Sequence, residues 1–388
     1  MLSLINCALL ASAPTLEVPA TLELTHLDTK EPTISAPRDA IKMGLAWLAR
    51  HQNPNGYWNH KEFWKDNRAG GTQCVQGAGT HVQHVGSTGL ALLAFVGDKR
   101  SLKQGEYAVG ILSAVEWLLE KQESESGLIG DSLGIAFHYD HAIATLALAD
   151  TLTLCANKKH FKDLPDTRML TALTKAKEYI RKARNSEGVW RYQVPPIGEN
   201  DTSVTGWMLT AIDALQPHLE IKAKPIHEYS IKWLDKVTDP GTGRVGYDTI
   251  GSMSARVDGI NDDFPSDKGE AMTAVGLRCR LFCGQTVKTA PIMKKHTDLL
   301  LKCLPEWDAD AKGNDMYYWY HATLAMSHMD SKSWRSWKKP MEKVALEAQC
   351  EEKNDYQGSW DPVGPWGYSG GRIYSTALML LILEEIAG

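Results

Sequence analysis

Residues 40–58 read AIKMGLAWLARHQNPNGYW, and residues 85–95 read VGSTGLALLAF. In the first stretch Ile41, Leu45, Leu48 and Ala49 recur at helical spacing, with Trp47 beside them, and Pro54-Asn55-Gly56 signals a turn. The second stretch is apolar on every side. Helix, glycine–aromatic turn, second helix: this unit recurs six times. The predicted pairs are 38–52 with 86–97, 108–122 with 139–150, 170–184 with 201–215, 227–237 with 269–283, 291–303 with 316–328, and 335–350 with 372–386. A repeat of this period sets the architecture before any single residue is interpreted.

The two helices of each pair differ in kind. The first of the third pair carries Lys175, Lys177, Glu178, Arg181, Lys182 and Arg184, an amphipathic, outward-facing pattern. The second helices are nearly free of charge (AIATLALA at 142–149, STALMLLIL at 375–383), as expected of helices buried on both sides. Six half-buried and six buried helices in alternation predict an all-α fold, an (α/α)6 barrel or toroid of six helical hairpins. An open solenoid needs polar capping repeats, and neither end shows one. In such a ring the inner helices run the same way. Their N-termini, with unpaired N–H groups and the positive ends of the helix dipoles, gather at one mouth.

The residues opening the inner helices are therefore the candidate site. They include His81, His84, Ser87 and Thr88; His138, Tyr139, Asp140 and His141; Glu199, Asn200, Asp201 and Thr202; Asp262, Asp263, Asp267 and Glu270; Asp315, Tyr317, Tyr318, Tyr320 and His321; and Arg372, Tyr374, Ser375 and Thr376. N-capping accounts for Asp140, Asp201 or Asp267 taken singly. It does not account for five histidines over three openings. The candidate catalytic set is Asp201, His141, Asp263, His321 and Tyr320. The candidate ligand-binding set is Trp207, Tyr139, Tyr318, Arg372 and Tyr374. No cofactor is expected. The minor alternative is zinc or another divalent metal held by His81, His84, His138 and His141 with Asp140, since each H-x-x-H places two imidazoles on one face of a helix start.

Composition narrows the classes. The chain has 388 residues, 43% of them hydrophobic, and a formal net charge of -5 with no basic run, which argues against a nucleic-acid partner. No internal segment has the ~18 uninterrupted apolar residues of a membrane span. Seven cysteines are scattered without a C-x-x-C, and Cys279 and Cys283, one turn apart on an apolar helix, read as buried thiols. Residues 1–13, MLSLINCALLASA, end in an A-x-A pattern and read as a signal peptide, so the expected location is periplasmic or exported; the alternative is a cytoplasmic tail. Residues 14–37, with four prolines, read as a linker, and 38–388 as one toroid domain. Asp308-Ala-Asp310-Ala-Lys312-Gly313 reads as a solvated turn, since Lys312 stands where a calcium loop needs an oxygen ligand.

The hairpins at 40–58, NSEGVWRY (185–192), DTSVTGWMLTAIDAL (201–215), YDHAIATLALAD (139–150) and GSWDPVGPWGYSGGRIYSTALMLLILE (358–384) resemble the repeats of the prenyltransferase and squalene-cyclase superfamily. The resemblance covers about residues 40 to 388 and is nearest to bacterial repeat proteins of the planctomycete type. It implies a toroid and an isoprenoid or other apolar ligand in a central cavity. Class II cyclases of that superfamily protonate an alkene with the middle Asp of D-x-D-D-T. The matching stretch here is Gly198-Glu199-Asn200-Asp201-Thr202, which puts a carboxamide, Asn200, at the acid position. His321 resembles the zinc-binding His of protein prenyltransferases, but Asp267-Lys268-Gly269 supplies no cysteine where their Asp-x-Cys pair belongs. Three readings stay open: an apolar-ligand toroid of the terpenoid-cyclase kind, a non-catalytic envelope scaffold with a lipid or protein partner, and a glycan-active (α/α)6 enzyme using Asp262, Asp263, His141, Tyr320 and Arg372.

Overall fold

The structure, a computed structural model, describes residues 36–68, 75–156, 158–194, 196, 199–308 and 312–388. The expected signal peptide and most of the expected linker lie outside these residues. The chain begins with α1 (Pro37–Arg50), α2 (Val85–Gly97), the short α3 (Lys99–Gln104), α4 (Ala108–Glu120), α5 (Phe137–Cys155), α6 (Asp166–Ala183) and α7 (Thr202–Leu215). It continues with α8 (Ala223–Val237), α9 (Ala271–Phe282), α10 (Ile292–Leu300), α11 (Met316–Met326), α12 (Ser331–Glu347) and α13 (Gly367–Ala387).

The nearly uncharged helices form the inner ring. Around it α2 packs on α5, α5 on α7, α7 on α9, α9 on α11 and α11 on α13. Helix α13 packs back on α2, so the ring closes. The other long helices lie outside. Thus α6 presents Met169, Leu173, Ala176 and Ile180 to the ring and leaves Lys175 and Arg181 in water.

One hydrogen-bonded unit builds the hairpins. In three turns a buried Trp donates its indole N–H to the outer helix that precedes it: Trp58 to Leu48 O, Trp190 to Ile180 O and Trp360 to Ala345 O, each at 2.8 Å. The backbone N–H of those tryptophans, and that of Val245, donates to a Thr hydroxyl on the following inner helix: Thr88, Thr205, Thr376 and Thr273, each at 3.2 Å. These buried donors have no other way to be satisfied inside an apolar layer, which is why the turn needs the threonine. Neighbouring hairpins meet at the turn glycines. A Cβ on Gly358 (φ +92°) would stand 2.5 Å from the Met43 carbonyl oxygen of α1, so the last hairpin reaches the first only through a glycine.

The structure keeps the six expected pairs but moves several bounds: α6, α8 and α12 begin four residues early and α5 runs five residues past 150. Helix α3 was not foreseen; Asp98 caps it by accepting from the N–H of Arg100 and Ser101. Helix α13 begins five residues before the expected 372 and is broken at Gly371 (φ +63°). The kink makes room for residues 77–81, which hydrogen-bond along it: Arg372 N–H to Gly77 O, Thr80 N–H to Tyr368 O and His81 N–H to Ser369 O.

Candidate functional site

A cavity of about 540 Å³ opens at the N-terminal ends of the inner helices. Every inner helix contributes to it: Ser87 and Leu90 of α2, Tyr139, Asp140 and Ile143 of α5, Ser203 and Trp207 of α7, Met272 of α9, Tyr317 of α11 and Tyr374 of α13. The connecting segments add His81, Tyr192, Tyr247, Arg256 and Trp366, and the first turn of α13 adds Tyr368. Of the candidate catalytic and ligand-binding sets, Trp207, Tyr139 and Tyr374 line this cavity.

The others stand elsewhere. Asp263 is exposed in the segment before α9, outside the cavity lining. Tyr318 points to the outer ring, where its hydroxyl donates to Cys303 O at 2.8 Å. Arg372 is buried against the last turn, donating to Ser359 Oγ at 2.8 Å and pairing with Asp361, its guanidinium 3.9 Å from the Tyr356 ring centre. Tyr320 and His321 pack beneath the cavity: Tyr320 stacks on Trp207 at 5.8 Å, and His321 lies edge-on to Trp207 and Tyr317. Burial holds His321 well below the ordinary imidazole pKa, and the nearby Arg278 adds to the effect.

His141 has a structural seat. Its Nδ1 accepts the Ile129 N–H at 3.0 Å, the bond that Thr88, Thr205, Thr273 and Thr376 make in other hairpins. The ring is fully buried, and burial lowers its pKa to about 3, so it is neutral, as an acceptor at Nδ1 must be. The four histidines of the metal option fall into two networks. His138 bonds Arg191 O and the Tyr179 hydroxyl, while His84 bonds His60. Among the described residues no group of three or more His, Cys, Asp or Glu is placed to hold an ion.

Asp201 caps α7, accepting the Val204 N–H at 2.7 Å. Behind the cavity wall it also accepts from the Tyr247 hydroxyl at 3.4 Å, and Tyr247 bonds Tyr192. Complete burial raises its pKa to about 7. Asn200 turns the other way: its side-chain amide donates to Glu187 at 2.9 Å, and it does not line the cavity. On the facing wall Tyr139 donates to Ser203 Oγ at 3.0 Å, and Ser203 bonds the Tyr317 hydroxyl at 2.7 Å.

The pairing that single-residue reading missed is His81 with Asp140. His81 Nε2 lies 2.7 Å from Asp140 Oδ2, and Asp140 Oδ1 accepts the Gly86 N–H of α2 at 3.0 Å. Asp140 thus caps the neighbouring helix rather than its own. Both residues were in the metal set; what separates them from the other histidines is the ring neighbour each faces. Tyr192 and Tyr247 were also missed. Each follows a turn (WRY and VGY), a position read only as structural.

The sequence matches no protein-family profile and no curated protein. Solved structures share its fold. MstE from Scytonema, a type II terpene cyclase in complex with geranylgeranyl dihydroxybenzoate as substrate, is 14% identical, with a TM-score of 0.50 over 90% of this chain and 96% of its own. The cellulase Cel9M of C. cellulolyticum is 10% identical, with a TM-score of 0.51 over 91% of this chain and 99% of its own. Its complex with cellobiose matches with the same score over 90% of this chain and 98% of its own. At these identities the likeness is one of fold, the (α/α)6 toroid.

Proposed function

We propose that this toroid binds an apolar small molecule of the isoprenoid class in its central cavity, and that alkene protonation does not start its chemistry. The observation that carries the reading is the cavity itself. It falls within the ~300–1,000 Å³ typical of small-molecule sites. Its walls are aromatic and aliphatic: Trp207, Tyr317, Tyr374, Leu90, Ile143 and Met272. A scaffold would close its centre with side chains. The fold shared with MstE, and the isoprenoid substrate bound there, support the choice of ligand.

Two features support the second half of the proposal. An alkene needs a strong acid at the wall. Asn200 is not one, Asp201 lies behind Tyr247, and burial pushes the Tyr247 hydroxyl above its ordinary pKa. Asp140 is already engaged with His81 and the Gly86 N–H. The same inventory weighs against glycan cleavage, which uses a pair of carboxylates flanking the scissile bond. Asp140 is the one carboxylate among the described residues lining the cavity.

The test is calorimetric titration with geranylgeraniol and, separately, with cellotetraose. The proposal expects saturable one-site binding of the isoprenoid alcohol alone. It also expects a 10- to 150-fold loss in Trp207→Ala, since a buried large side chain contributes about 1.5–3 kcal/mol. Binding of the sugar in preference to the isoprenoid would overturn it.

A further inference from the structure

We propose that the wall of the cavity formed by His81 and Ser87 is a hydrogen-bond-accepting site that takes a hydroxyl group at one end of the bound apolar molecule. The inference rests on the apolar-ligand reading and fixes the polarity of the ligand's head.

Asp140 Oδ1 accepts a backbone N–H and its Oδ2 faces His81 Nε2, so the carboxylate accepts at both oxygens and His81 carries its proton on Nε2. In the neutral ring the other nitrogen, Nδ1, then holds a lone pair. Among the described residues it has no hydrogen-bond partner, and it is not one of the sealed, unpartnered atoms of the interior. His81 lines the cavity, so the lone pair is open to a ligand.

Ser87 is oriented by a second chain. His60 Nε2 lies 3.0 Å from the His81 carbonyl oxygen, which only accepts; His60 therefore carries its proton on Nε2. Its Nδ1 is an acceptor, and Ser87 Oγ stands 2.9 Å from it. His84 Nδ1, at 3.1 Å, approaches the same lone pair as a second donor. Burial lowers His60 to about 3, so the ring stays neutral and this assignment holds across the ordinary pH range. His60 Nδ1 thus offers one lone pair to both Ser87 and His84, and a Ser87 hydroxyl that donates to it keeps its own oxygen lone pairs for a ligand. The same burial makes His60 a poor proton acceptor, which removes the nucleophile-and-base reading of the Ser87–His60 pair.

On this wall His81 Nδ1 therefore demands a donor, and Ser87 Oγ can accept from the same group. The opposite charge in the lining is committed: Arg256 donates to Phe264 O, Ala255 O and Asp315. An ionised phosphate or carboxylate, or an ether, has no proton to give His81 Nδ1, whereas an alcohol or phenol has one.

Two measurements test this. The first is titration of the full chain with geranylgeraniol, geranylgeranyl methyl ether and geranylgeranylamine, in the wild type and in His81→Phe. The alcohol should bind about 3- to 10-fold more tightly than the ether in the wild type. In His81→Phe the difference should vanish while the ether's affinity is kept. Equal binding of alcohol and ether in the wild type overturns the hydroxyl site and leaves the apolar reading standing. Tighter binding of the amine than of the alcohol also overturns it. Failure of both alcohol and ether to bind overturns the apolar reading and this inference with it. The second is 15N NMR of the wild-type His81 ring, which needs neither ligand nor variant. A proton on Nε2 and a bare Nδ1 are expected, with that preference lost in Asp140→Asn. A proton on Nδ1 overturns the inference alone.

Discussion

Thr205→Val tests the hydrogen-bonded unit that repeats around the ring. Valine keeps the shape of threonine and removes the hydroxyl. In the native structure Thr205 Oγ1 accepts the Trp190 N–H at 3.2 Å, and both residues are fully buried. The Trp190 carbonyl keeps a donor in the Asp201 N–H at 3.1 Å, so the change orphans one group, the Trp190 N–H. A buried donor left without a partner costs about 1–3 kcal/mol, and the shape-conserving swap adds little cavity cost. Urea unfolding followed by far-UV circular dichroism should show a lower midpoint with an unchanged slope. Thr273→Val removes the acceptor of Val245 N–H and should cost about the same. At the second hairpin His141→Ala removes the acceptor of Ile129 N–H together with a ring packed 4.5 Å from Tyr179, and should cost more, about 3–5 kcal/mol. If the two valine variants unfold within 0.5 kcal/mol of wild type, by roughly the resolution of such comparisons, the unit is not what fixes the hairpins.

Gly358→Ala should destabilise the closed ring by more than about 2 kcal/mol, because a left-handed φ of +92° already costs about 1–2 kcal/mol for alanine and the added carbon meets the Met43 carbonyl; chemical denaturation checks it. Glu384 is partly buried, with both carboxylate oxygens sealed from water and unpartnered, and desolvation lifts its pKa well above the ordinary value. A raised folded pKa gives stability that is full at low pH and lost as pH rises toward it, so Glu384→Gln should match wild type near pH 4. The variant should become the more stable form above that, by about 1.4 kcal/mol per pH unit up to the folded pKa. Asp201, raised to about 7, has the same sign. Asp201→Asn keeps a capping oxygen for the Val204 N–H and should flatten the fall in stability between pH 4 and 7, read from urea midpoints at the two pH values.

The ring was legible because periodicity and charge act at the scale of a whole helix. Eighteen residues of α6 show one wet face whatever their neighbours do. The order of the hairpins then placed Tyr139, Trp207 and Tyr374 at one mouth. What stayed hidden depends on which way one side chain turns. Asn200 and Asp201 are adjacent, yet one faces Glu187 and the other faces Tyr247. His141 carries the chemistry of a catalytic base but occupies a threonine's seat, which becomes visible only when the turns are aligned by their N–H donors. Tyr318 and Tyr317 are also neighbours, and 100° of helical rotation sends one to the outer ring and the other to the cavity. His81 and Asp140 are 59 residues apart, and their contact follows from ring adjacency rather than from either motif.

The central claim is that an apolar molecule sits among Trp207, Tyr317 and Tyr374, inside the ring. Photo-crosslinking with a diazirine-tailed geranylgeraniol, mapped by peptide mass spectrometry, tests it most directly. The account predicts adducts on peptides from the openings of α7, α11 and α13, competed away by unlabelled geranylgeraniol. Adducts confined to the outer helices, for instance around the exposed Val109 of α4, would contradict it.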